Sequence, residues 1–338
     1  MSLDPSLRSR LVLPAVCAPM FRVSSPALVR EACKGGLVGA LPRQNAKDFE
    51  TFEKWLEQIS EALKVHAGEN PGARIGPVAV NLSRLPGDQM AEHLAVCRKH
   101  GVEIIISAMG DPTELIRRVH EWGGKVYHDV TNIRFAEKAI EAKADGLTCI
   151  GSGGGGHSGL ISHLAFVPKV RMMFDGTIIM AGCISTGAAI RAAEILGADL
   201  AYLGTRFIAT QESNAHEEYK QMLVSSAAND LIFTPDVAGG AANWLKPSLV
   251  RNGMDPDNLP GTPPGADRPL LPEGARPWVT IWSAGQGVEL IEDIPPAGEL
   301  ILRLRREYIA ACQIPDMADA ARLEVERLVD QAQDFKPQ

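Results

Sequence analysis

Eight short apolar runs recur along the chain, each separated from the next by a stretch of helical character. They cover residues 11–18, 37–41, 77–82, 102–108, 125–130, 147–150, 177–181 and 200–203. The runs are continuously apolar rather than alternating, the pattern of strands buried on both faces of a parallel sheet. Between them, helices are expected over 27–33, 48–66, 88–100, 112–122, 132–144, 164–174 and 188–196. Ser24-Ser25-Pro26 opens the first of these, Gly35-Gly36 stops it, and Asn132 is placed to cap a later one. In the second, Phe49, Phe52, Trp55, Leu56, Ile59 and Leu63 recur at helical spacing and read as packing residues. Eight strands is the number that closes a (β/α)8, or TIM, barrel, so an α/β barrel is the expected fold. The competitor, a doubly wound open sheet, carries its glycine-rich loop after the first strand. Here that strand ends in Pro19-Met20.

After about Ser225 the rhythm breaks. Pro256, Pro260, Pro263, Pro264, Pro269, Pro272 and Pro277 punctuate a long stretch with few apolar runs. A structureless loop of that length inside a compact domain points to a cover over a site. The expected organisation is therefore a barrel over 1–225, a lid or small subdomain over the barrel mouth at 226–295, and C-terminal helices packing on the barrel at 296–338. Helices are expected there at 296–311 and 316–332.

A net charge of −7 argues against general binding to nucleic acid or anionic membranes, which depends on Lys and Arg neutralising phosphates. The six cysteines are scattered without ligand-like spacing, and several fall in apolar segments where a thiol behaves as a small hydrophobe. No apolar run approaches a membrane span, and the first ten residues lack the apolar core of a signal peptide. A cytoplasmic protein is expected, with no metal site, and a homodimer as the commonest oligomer.

The chemistry concentrates at one place. The sixth run delivers Gly151-Ser152-Gly153-Gly154-Gly155-Gly156-His157-Ser158-Gly159. Such a loop has few side chains to pack and loses much backbone entropy on ordering, which points to close approach of a flat or anionic ligand; a flexible linker is the bland alternative. His157 at its centre is the natural acid/base or anion-orienting group. The loops after the last two barrel strands are where such barrels commonly bind phosphate. Here they read Ala181-Gly182-Cys183-Ile184-Ser185-Thr186-Gly187 and Leu203-Gly204-Thr205, with bare N–H groups, hydroxyls and a following helix N-terminus. The bland reading is a pair of tight turns. Asn81 at a strand end serves either a heterocycle edge or a turn, and His128 is either a core group or a site residue. His163 either caps its helix or lines the site. His66, His93, His100, His120 and His216 fall on expected helices and are expected to be exposed.

Together these segments resemble the FMN-dependent nitronate monooxygenases, also called 2-nitropropane dioxygenases. The matching elements are Ala18-Pro19-Met20, Asn81, Val126-Tyr127-His128, Gly155-Gly156-His157-Ser158-Gly159, Ala181-Gly182, Gly204-Thr205-Arg206-Phe207 and Ala284-Gly285-Gln286-Gly287. The resemblance implies FMN across the barrel mouth. Main chain at Ala18, Pro19 and Met20 and the Asn81 side chain would hold the ring system; Gly155, Gly182, Gly204 and Thr205 would hold its edge and the phosphate. His128, Gly156 and Ala181 complete the implied cofactor-binding set, and His157 would be the catalytic residue. The implied reaction converts an alkyl nitronate and O2 to a carbonyl compound and nitrite.

The chain departs from the family pattern where Gly153-Gly154 replaces Glu-Ala and where Tyr202 replaces Gln, removing a carboxylate and an amide near the expected flavin. Asn243 and Trp244 mark a further place for specificity. Two rivals stand beside the first reading: an NAD(P)H-dependent flavin reductase acting on quinones or enoyl thioesters, and a non-catalytic barrel that binds a phosphate ligand.

Overall fold

In the structure, a computed structural model, residues 2–82, 87–263, 265–266, 269–313 and 318–333 are described. Ser83, Pro264 and the first two positions of the expected last helix, 316–317, lie outside them. Each of the eight apolar runs overlaps one barrel strand: β1 (Ala15–Cys17), β2 (Val38–Pro42), β3 (Val78–Asn81), β4 (Ile104–Ala108), β5 (Lys125–Val130) and β6 (Gly146–Ile150). The chain then forms a two-residue strand, β7 (Gly156–His157), before β8 (Thr177–Ala181) and β9 (Leu200–Leu203) complete the barrel. All eight barrel strands run parallel in the order β1-β2-β3-β4-β5-β6-β8-β9, and β1 closes the ring against β9 with Val16 opposite Tyr202. The fold is a (β/α)8 barrel.

The continuous apolarity of the strands follows from their two buried faces. Inward residues such as Val38, Ala79, Ile104, Ile106, Tyr127, Ile179 and Leu200 fill the lumen. Outward residues such as Leu41, Val80, Ile105, Val126 and Leu147 pack beneath the helices in the main core. The helices start where the capping chemistry places them: Ser25 Oγ accepts from Leu28 N–H at 3.0 Å, and Asn132 Oδ1 from Phe135 N–H at 2.9 Å. A short helix, Pro5–Arg10, precedes the barrel, and its Leu7 joins the lumen cluster with Leu11, so the polar N-terminal segment contributes to the interior.

The expected exposure fails at His100, whose side chain is only 9% exposed, and at His93. His93 lies on a helix as expected but is buried, its Nδ1–H donating to the Gln89 carbonyl at 2.6 Å and its ring meeting the Phe49 ring edge-on. Arg43 Nε–H donates to the other ring nitrogen, which explains a histidine on the core side of that helix.

Two strands expected from no apolar run, β10 (Leu231–Thr234) and β11 (Ala242–Leu245), pair antiparallel and continue onto β7, giving a small sheet in the order β10-β11-β7. Described residues of 226–295 therefore build a second core of Val237, Trp244, Leu249, Met254 and Ile281. Helix Ala297–Cys312 packs between Pro26–Lys34 and Gly187–Ile195 and buries Leu300, Ile301 and Leu304 in the main core. No helix among the described residues is long and apolar enough to cross a membrane.

Candidate active site

The C-terminal ends of the barrel strands open into a cavity of about 1730 Å³. All twelve residues singled out in the sequence line it: Ala18, Pro19, Met20, Asn81, His128, Gly155, Gly156, His157, Ala181, Gly182, Gly204 and Thr205. The barrel brings them together from β1, β3, β5, β8 and β9, and the glycine loop adds the remaining three.

His157 owes its position to the small sheet. Its backbone pairs with Ala242 of β11, and its ring rests against Trp278 with centroids 4.9 Å apart. Trp278 in turn packs on Trp244, also at 4.9 Å, so Trp244 stands behind the site, wholly buried, rather than in it. Gly240 closes the other side, where a Cβ would come within 2.7 Å of the imidazole. One ring edge is left facing the cavity. His157 stands exposed at the rim, and partial desolvation there lowers its pKa from the ordinary value.

The glycine loop has two different reasons for its composition. A Cβ at Gly151 would meet the His163 ring at 2.6 Å, one at Gly153 would overlap Cys183 Sγ at 1.8 Å, and one at Gly159 would meet the Thr131 carbonyl at 2.3 Å. These glycines answer to packing within the protein. Gly156 answers to conformation and access, with φ +72° and nothing closer than 3.9 Å to an added Cβ. The loop's main chain is gripped from outside the barrel. Asn243 Nδ2 donates to the Gly154 carbonyl at 2.7 Å, and Gln286 N–H donates to the Gly153 carbonyl at 3.0 Å. Asn243 is thus a buried clamp that does not line the cavity.

At the expected phosphate end, Ala181 lies opposite Tyr202, which places Gly182 beside Gly204-Thr205 on neighbouring strand ends. A Cβ at Gly204 would find nothing within 3.8 Å, so a ligand has access to bare backbone there. Thr205 Oγ1 accepts from Gly285 N–H at 2.9 Å, which aims the hydroxyl. The N-terminus of helix Gly187–Ile195 is already engaged: Gly187 N–H donates to Glu307 at 2.7 Å. The glycine and threonine backbone, more than that helix, is therefore left open at this end of the cavity.

His128 is buried, with Nδ1 hydrogen-bonded to Ser107 Oγ at 2.8 Å, and burial lowers its pKa. His163 is buried too and its Nε2–H donates to the Ala181 carbonyl at 2.7 Å, so it braces the phosphate end from behind.

A residue not singled out in the sequence also lines the cavity. Asp129 points into the barrel from β5, and burial pushes its carboxyl up to about 7. Its one sequence signal was a carboxylate two residues after Tyr127, which strand alternation places on the same face.

With this geometry in place, the comparison with known proteins is decisive. The sequence profile of the family described as nitronate monooxygenase matches residues 41–307. The chain belongs to that family. It is an oxidoreductase of the class that oxidises nitronates. A nitronate monooxygenase of Paraburkholderia phytofirmans is 27% identical to it, covering 87% of this chain and 92% of that protein. One from Pseudomonas aeruginosa is 25% identical, covering 87% and 95% respectively. Among solved structures, a nitroalkane oxidase from Streptomyces ansochromogenes superposes with a TM-score of 0.68 at 23% identity, covering 90% of this chain and 98% of that one. FabK from Thermotoga maritima superposes at 0.67 and 22%, covering 92% and 98%.

Proposed function

We propose that the chain binds FMN across the barrel mouth and oxidises alkyl nitronates with O2 to a carbonyl compound and nitrite, with His157 as the catalytic residue. The observation that carries this reading is the convergence of the twelve residues on one cavity, with the His157 ring fixed at its rim. The residues fit the cofactor. Bare backbone at Gly204 and Gly182 and the oriented Thr205 hydroxyl suit a phosphate; the walls of Ala18, Pro19, Met20, Ala181 and Ile150 suit a flat ring, with the Asn81 amide at a strand end to meet its polar edge. FMN bound there supplies the electron acceptor and the reactivity toward O2.

The protein's own contribution is orientation and a single proton. His157, its pKa lowered by partial desolvation, accepts the α-proton of a neutral nitroalkane. Toward a nitronate, which has already lost that proton, an N–H of the same ring donates to the anionic oxygens. Trp278 and Gly240 hold the ring so that one edge serves the substrate. Segment 226–295 then acts as the cover, because its Trp278, Ser283, Gly285 and Gly287 form part of the cavity wall.

A second reading, an NAD(P)H-dependent reductase acting on quinones or enoyl thioesters, draws on the size of the cavity, which exceeds the roughly 300–1,000 Å³ of ordinary ligand sites. An enoyl reductase domain from Bacillus amyloliquefaciens also shares the fold, with a TM-score of 0.58. The deciding experiment is an anaerobic visible spectrum of the FMN-loaded protein before and after NADH, followed by a nitronate. Bleaching by the nitronate and not by NADH, with nitrite released on admitting air, is the expected result. Rapid bleaching by NADH moves the function to a reductase.

A further inference from the structure

We infer that Asp129 is a ligand-facing residue on the barrel floor, which enters as a neutral carboxylic acid and donates a hydrogen bond to the flavin ring system bound above it. This rests on the FMN reading of the cavity.

The argument begins with alternation along β5. Val126 and Val130 join the outer core, whereas Tyr127 fills the lumen, so Asp129 shares the inward face one layer above Tyr127. It emerges into the cavity beside Tyr202 of β9 and opposite Thr148 of β6. Among the described residues, three buried polar atoms on this inward face have no hydrogen-bond partner: Asp129 Oδ1, Thr148 Oγ1 and Tyr202 Oη. Buried polar groups are nearly always paired, and such a concentration under a cavity calls for partners from whatever occupies it. A carboxylate would be an unsuitable floor for an electron-accepting ring, because negative charge opposes added electron density. A neutral acid offers a donor instead, a role for which burial is the means.

The surroundings favour the neutral form. Burial raises the Asp129 pKa, and the proximity of Thr148 offsets this only in part. Tyr202 and Tyr127 are held as phenols by burial. At the mouth, His157 is lowered and the Cys183 thiol raised by burial; His128 turns to the other face of β5, toward Ser107 and Asp111. Arg117, Lys138 and Lys143 line the cavity from positions on or after the outer helices, and none of them acts on the carboxyl. Between pH 6.5 and 8.5, Asp129 is therefore the group of this set that changes charge.

The test is flavin binding, followed by fluorescence quenching from pH 6 to 8.5, with FMN and with riboflavin, which has no phosphate to titrate. For the wild type, affinity for both flavins is expected to fall on the order of tenfold across this range as the donor is lost. In Asp129→Asn, which keeps a donor that does not ionise, riboflavin affinity is expected to be flat. A wild-type riboflavin profile without a fall overturns the inference and leaves the FMN reading standing, and so does an equal fall in the variant. Failure of the wild type to bind either flavin at any pH overturns the FMN reading, and the inference with it.

Discussion

Asn243 Nδ2 donates a hydrogen bond to the Gly154 carbonyl at 2.7 Å, so a side chain from beyond the barrel holds the main chain of the loop that carries His157. The same amide lies 3.3 Å from both the Ser152 carbonyl and Ser158 Oγ. Asn243→Ala strands these acceptors inside the protein. A loss of about 1–3 kcal/mol is expected in urea unfolding. The flavin affinity should fall together with it, since the loop then samples other conformations. Unchanged affinity at reduced stability would mean that the clamp serves the small sheet alone.

Gly153 and Cys183 form a steric pair across the mouth, with the added Cβ overlapping the thiol. Gly153→Ala is expected to destabilise the protein by about 1–3 kcal/mol, as overpacking does. Cys183→Ala in the same chain should return most of that loss. The double-mutant cycle measures the coupling directly, and additive effects would count against the contact. The pair also explains why a larger residue at 153, such as the glutamate of the family pattern, does not suit this chain.

What was legible in the sequence was whatever one-dimensional pattern encodes. Residues 125–130 read as a strand because Val126, Tyr127 and Val130 must be buried on two faces, and 200–203 reads so for the same reason. Caps such as Asn132 were legible because the capping chemistry is local. β7 was not, since two residues, Gly156 and His157, carry no periodicity and their partner β11 lies far along the chain. The purpose of Gly151 and Gly159 was hidden likewise, because His163 and Thr131 approach them only in three dimensions. The residues that line the cavity were legible through motif and position at strand ends. Asp129 was missed because its inward direction depends on a barrel interior that periodicity alone does not show.

His157→Ala should reduce turnover of a neutral nitroalkane by about 10²–10⁴, the range for a general base. The pH profile gives a sharper test. Because burial lowers the imidazole pKa, the proton-accepting form persists below the ordinary histidine midpoint. The wild-type kcat/KM is expected to fall on the acid side with its midpoint below the ordinary histidine value. A midpoint above that value would contradict the partial desolvation of the ring beside Trp278. With a preformed nitronate no proton is abstracted, and the acid limb should weaken or vanish.

Asp129 should leave a signature in stability as well as in binding. Its folded pKa is raised to about 7, well above that of a free carboxyl near 3.9. Between those values the folded protein retains a proton that the unfolded chain releases, so stability falls as pH rises from 4 to 7 and levels off above. Asp129→Asn has no such proton. Without ligand, its unfolding free energy should match the wild type near pH 4 and exceed it on the order of 4 kcal/mol at pH 8, the ionised form then lying partly buried without a cationic partner. Denaturation of both proteins across this range gives the difference as a function of pH. A gap that opens with rising pH identifies the buried carboxyl as its source; a gap independent of pH would trace instead to packing of the substituted side chain against Tyr202 and Thr148.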